Sequence, residues 1–97
     1  MKINDKTYTV EFNRQLVPVT FHRKGRKVSE NRMATTCVLV DNDGGIVDTA
    51  TVRQYHRDRY SRKAANDAAF RKLANQFGAA ERVQMLQYFF DVHPEKA

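Results

Sequence analysis

The sequence predicts an α+β protein in the order β-β-β-β-α-α, a four-stranded antiparallel sheet followed by two helices packed on one of its faces. Three observations carry that prediction. Apolar and polar residues alternate with period two through the first half of the chain. The run Asp41-Asn42-Asp43-Gly44-Gly45 is a strong turn signal, because Asn, Asp and Gly tolerate positive φ. Beyond residue 60 the apolar spacing becomes helical. An antiparallel sheet covered by helices buries both apolar sets.

Taken in order, Tyr8, Val10 and Phe12 alternate with Thr7, Thr9 and Glu11, the pattern of a half-buried strand. Asn13-Arg14-Gln15 reads as a short connection. Val17, Val19 and Phe21 form a second strand, and Pro18 removes one backbone donor, which places that strand at an edge or on a bulge. Residues 23–32 hold Gly25, Ser29 and Asn31 with one apolar residue, Val28, and read as a long exposed hairpin loop. Residues 34–40 (ATTCVLV) are rich in β-branched side chains and make the strongest strand. Residues 46–53 return as its partner, with Ile46, Ala50 and Val52 on one face. Asp48 shares that face, which weakens the pattern or puts Asp48 near an end.

Ser61 is placed to cap a helix whose first turn is Arg62-Lys63-Ala64. Ala65, Ala69 and Leu73 fall on one face, with Phe70 and Phe77 at its margin, and the small alanines allow a close approach to a sheet. Gly78 fits the position just past the helix end. Val83, Leu86 and Phe90, with Met85 and Phe89 alongside, define a second helix over residues 80–92. His93-Pro94 ends it.

Ninety-seven residues form one domain with a modest core and little room for a deep pocket. The single cysteine, Cys37, excludes an internal disulfide and a cysteine metal cage, and its apolar surroundings make it a buried small hydrophobe. No run approaches the roughly 20 apolar residues of a membrane span, and none resembles a signal peptide, so a cytoplasmic protein that does not enter membranes is expected. His22, His56 and His93 lack metal-ligand spacing, and Asp41 and Asp43 read as turn formers. There is no nucleophile elbow, phosphate-binding glycine loop or paired-carboxylate signature. The expectation is a protein that is not an enzyme and needs no cofactor or metal.

Charge supplies the functional signal. The chain carries a net +6, yet residues 23–32 hold five Lys/Arg against one Glu, and residues 53–63 hold five against one Asp. Each stretch sums to +4, so the other 76 residues sum to −2. Two clusters flanking near-neutral segments suit an anionic partner. The candidate contacts are Arg23, Lys24, Arg26, Lys27 and Arg32 in the first cluster. In the second they are Arg53, Tyr55, Arg57, Arg59, Tyr60, Arg62 and Lys63. Tyr55 to Tyr60 interleave rings that can stack on bases with cations that can hold phosphates. The alternative is a packed tyrosine among solvated arginines.

The run Ser61-Arg62-Lys63-x-Ala65-x-x-Ala68-Ala69 resembles the start of the last helix of the double-stranded RNA-binding domain, Ser-Lys-Lys-x-Ala-Lys-x-x-Ala-Ala. The preceding hairpin matches as well. The resemblance implies RNA contact by the hairpin loop and by Arg62 and Lys63. The chain departs from that family in opening with a strand instead of a helix, in lacking the glycine-rich approach to the helix, and in carrying Asn66 at the third basic position. In general style it also looks like small phage accessory proteins, some of which are anti-CRISPR inhibitors.

Two functions are therefore expected. The first is binding of structured RNA, a duplex or a nucleic-acid–protein complex through phosphates. The alternative is an anti-CRISPR-like inhibitor that docks on a nuclease or effector complex and blocks its nucleic-acid site. Monomer and homodimer are both open, since the rings of the last helix could also form a partner surface.

Overall fold

The computed structural model describes residues 1–54 and 61–92. A small hairpin, β1 (Lys2–Ile3) and β2 (Lys6–Thr7), opens the chain and turns through Asn4 and Asp5 at positive φ. Asn and Asp are the non-glycine residues best suited to that backbone. Three strands follow, β3 (Thr9–Arg23), β4 (Arg26–Val40) and β5 (Ile46–Arg53), in an antiparallel sheet ordered β3-β4-β5. The class is α+β as expected, but the sheet has three strands plus a separate two-stranded hairpin.

The difference lies at Asn13-Arg14-Gln15. These residues are no connection; they stay paired with Thr36, Thr35 and Ala34 inside one 15-residue strand. The sequence alternates on both sides of them, but out of phase: Tyr8, Val10 and Phe12 are even-numbered, Val17, Val19 and Phe21 odd. A connection would have kept both sets on one face. Instead the register runs unbroken, and the two sets emerge on opposite faces of the same strand. Tyr8, Val10 and Phe12 pack toward the core with Cys37 and Leu39. Pro18 does lie on an edge strand, where its missing donor costs no ladder bond to a further strand.

Residues 23–32 are likewise not a loop. The turn is only Lys24-Gly25, both at positive φ (53° and 76°), and Arg23 already pairs with Arg26. Such a two-residue turn matches the twist of the flanking strands. The turn at residues 41–45 is as expected: Asp41 Oδ1 accepts the amides of Asp43 (2.9 Å) and Gly45 (2.8 Å). A bulge follows at Leu39/Val40, and Asp48 lies opposite Leu39. Ile46 is exposed, so Ala50 and Val52 alone represent the apolar face of β5. With its amide nitrogen turned toward β5, Gln76 donates to the Asp48 carboxylate (2.6 Å) and to the Thr49 carbonyl (3.2 Å).

Helix α1 (Arg62–Ala74) begins at Ser61, whose Oγ accepts the Ala64 amide at 3.3 Å. It packs on β4 and β5, burying Ala69, Phe70, Leu73 and Ala74. It ends at Asn75, not at Gly78. Gly78 instead leads into α2 (Ala79–Val92), its carbonyl accepting the Arg82 amide at 2.9 Å.

Helix α2 is rotated about its axis from the expected orientation, with Leu86 still packed against the core. Met85 and Phe89 are buried, whereas Val83 is 66% exposed and Phe90 38%. The cause is its partner: α2 packs on α1 and β1, and Phe89 stacks on Phe70 with centroids 4.7 Å apart. Only α1 has the sheet as its main packing surface. Gln84 ties α2 to the N-terminal hairpin, accepting the Asn4 amide (2.8 Å) and donating to Asn4 Oδ1 (3.0 Å).

Two substitutions test this packing by urea unfolding. Phe70→Ala should cost about 3–5 kcal/mol by opening a cavity beneath Phe89. Val83→Ala should change stability by less than about 0.5 kcal/mol. A large loss at Val83 would show that the opposite face of α2 is the buried one.

Candidate nucleic-acid interface

β5 stops pairing at Ala34↔Arg53, but β3 and β4 continue together to Arg23↔Arg26. Among the described residues the continuation is a two-stranded arm. From Gln15 to Arg23 it advances eight residue steps, about 26 Å at roughly 3.3 Å per residue. An isolated two-stranded ribbon is marginal in water, so its own side chains must stiffen it. Phe21 pairs with Val28 across the strands. The Arg32 guanidinium lies 5.3 Å from the Phe21 ring centroid and donates through Nε to Glu30 Oε1 at 2.6 Å. On the other face Thr20 and Ser29 share a hydroxyl contact of 3.2 Å.

These contacts set Arg32 apart from its neighbours. Its side chain is largely buried and ion-paired, so it braces the arm. The other four cations of the first cluster stand at the tip. Arg23, Lys24, Arg26 and Lys27 are all exposed, and none has an ion-pair partner among the described residues. Unit charges about 4 Å apart repel by roughly 1 kcal/mol even in water. A tip of four cations carries a repulsion that no described carboxylate offsets by an ion pair.

The described part of the second cluster sits at the base of the arm. Arg53 is exposed at the end of β5, and the Gln54 amide continues the ladder onto the Met33 carbonyl at 3.0 Å. Helix α1 runs back along β5. Arg14, near the base of the arm, donates to Asn66 in its first half. Lys72 Nζ, two turns later, donates to the Thr51 carbonyl at 2.7 Å. The N-terminus of α1 therefore points to the arm end of the sheet, with Arg62 and Lys63 exposed in its first turn and no acidic residue in that turn. Cations there oppose the helix dipole, which favours anions at that end. An incoming phosphate would be drawn by the helix N–H groups and by both side chains. Tyr55, Arg57, Arg59 and Tyr60 lie outside the described residues.

The two basic groups thus stay apart, one at the tip and one at the base. Sequence reasoning found the cations but missed the arm that separates them. The signal was present as continued alternation through Phe21, Val28, Glu30 and Arg32 on either side of Lys24-Gly25, but Lys-Gly is a weaker turn signal than Asn-Gly.

A shallow cavity of about 180 Å³ lies among Ile3, Tyr8, Leu39, Val47 and Phe77. It is smaller than the roughly 300–1,000 Å³ of ordinary ligand pockets. No cluster of three or more metal-ligating side chains occurs among the described residues, and none of the described helices is long and apolar enough to cross a membrane. Cys37 is fully buried, and burial pushes its thiol up to about 12. No protein-family model, curated protein or solved structure matches the chain.

The Cys37 thiol should resist Ellman's reagent at pH 8 until the protein unfolds. Its ordinary value is 9.0 and its folded value about 12, so above pH 9 the unfolded chain loses the proton first. The Cys37 contribution to stability should therefore be intact below pH 9 and fall as pH rises toward 12. A Cys37→Ala variant lacks this contribution, and a urea-melt series from pH 8 to 10.5 on both proteins isolates it. Rapid labelling of the native protein would contradict its burial.

Proposed function

We propose that the protein is a small, non-enzymatic binder of nucleic acid, either structured RNA or a duplex, alone or within a nucleic-acid–protein complex. The grip comes from phosphate contacts. One observation carries this reading: four exposed cations, with no ion-pair partner among the described residues, stand at the end of a stiffened arm, with Arg53, Arg62 and Lys63 at its base. The arm sets the two groups about 26 Å apart. A double helix carries one charge per roughly 1.7 Å of its axis, so both groups can engage one duplex. The resemblance of residues 61–69 to the helix of the double-stranded RNA-binding domain assigns Arg62 and Lys63 the same kind of contact.

A second reading draws on the same projection. A narrow basic arm also suits an acidic cleft, so an inhibitor of the anti-CRISPR kind would insert it into the nucleic-acid-receiving site of a nuclease or effector complex. A tight protein complex that forms without nucleic acid and fails when the tip is neutralised would favour this alternative.

Fluorescence anisotropy of a labelled duplex across a salt series tests the first reading. Seven phosphate contacts give a slope of log affinity against log salt near −6. Replacing Arg23, Lys24, Arg26 and Lys27 by Gln should reduce that slope by about 3–4, and replacing Arg62 and Lys63 by about 2. Slopes that stay the same in both variants would refute phosphate binding by these residues.

A further inference from the structure

We propose that the arm enters the major groove of B-form DNA and turns one particular face to the base edges. This rests on the nucleic-acid reading above and names its substrate. The β3–β4 register divides the arm into two unlike faces. One carries Val17, Val19, Phe21 and Val28, all half-buried and closed over by the stacked, ion-paired Arg32. That face is occupied with holding the arm together. The other carries Thr20, His22, Lys27, Ser29 and Asn31 toward the tip, all exposed, and the apolar Leu16 and Pro18 nearer the base, also exposed. Hydroxyl, imidazole, ammonium and carboxamide groups are the side chains that hydrogen-bond base edges. A device for phosphate grip alone would need cations there, yet most of these groups are neutral.

Dimensions select the groove. A β-layer with side chains on both faces is about 10 Å thick. The B-form major groove is about 12 Å wide and admits a two-stranded ribbon, whereas the minor groove is only about 6 Å wide. The A-form major groove is deep and narrow, and side chains cannot read it. The arm is long enough as well: about 26 Å of ribbon can lie along the groove. The tip cations then meet phosphates at one end of it, and Arg53, Arg62 and Lys63 meet those at the other. Glu30, the one carboxylate on the arm, lies on the packed face and is neutralised by Arg32, so the polar face offers no charge that repels DNA.

The experiment uses the full chain with a DNA duplex and an RNA duplex of the same sequence at one fixed salt concentration, combined with dimethyl sulfate footprinting of guanine N7, a major-groove atom. The wild-type protein should protect N7 and bind the DNA at least about tenfold more tightly than the RNA. The triple variant Thr20→Ala, Ser29→Ala, Asn31→Ala should lose the protection and most of the preference while keeping the wild-type salt slope, because the tip is untouched. DNA binding without N7 protection, or equal binding of RNA, overturns the groove assignment and leaves phosphate binding standing. Binding of neither duplex overturns both. The wild-type footprint decides the matter even if the variant fails to fold.

Discussion

The antiparallel ladder between β3 and β4 governs the rest of the molecule. It runs without a slip from Thr9↔Val40 to Arg23↔Arg26. A slip of one residue would exchange the two faces of every strand in it. Held in this register, Phe12 and Cys37 share the core face, Val17 and Arg32 share the opposite face, and the chain reverses at Lys24-Gly25. The arm and its basic tip follow from that pairing. So does the division between a packed face and an exposed polar one.

Packing of the body is subordinate to it. Once Cys37, Leu39 and Ala50 present small or branched side chains on one face, a helix with Ala69 and Ala74 on its inner side can approach closely. Phe70 then fills the space between that helix and α2, where it stacks on Phe89. Lys72 and Gln76, one helical turn apart, bond two carbonyls of the edge strand β5. Occupied carbonyls make an edge less available to a foreign strand.

Electrostatics runs against local stability at both ends of the arm. Cations crowd the hairpin tip and stand at the positive end of α1, where acidic residues would be favoured. On the body, Arg71 pairs with Asp67 one turn apart at 2.9 Å. Positive charge concentrated at the two ends of the arm is what the proposed phosphate contacts would neutralise.

Local signals were legible in the sequence wherever local chemistry decides the outcome. Ser61 caps α1 as its hydroxyl and position require. Asp41 builds the β4–β5 turn, Pro18 lies on an edge strand, and Cys37 is buried. The two basic clusters could be counted directly. Tertiary structure decided what periodicity leaves open. Alternation shows that residues share a face but not which face, so the phase change at Asn13-Arg14-Gln15 fits a break between two strands as well as a single strand apolar on both sides in turn. The inward face of α2 was ambiguous for a similar reason: Val83/Leu86/Phe90 and Met85/Phe89 both recur at helical spacing, and packing on Phe70 buried the second pair while leaving Val83 and Phe90 exposed. Arg32 looked like its neighbours until the fold placed Phe21 and Glu30 beside it. A side chain's charge is written in the sequence, whereas its availability depends on neighbours that only the folded chain brings together.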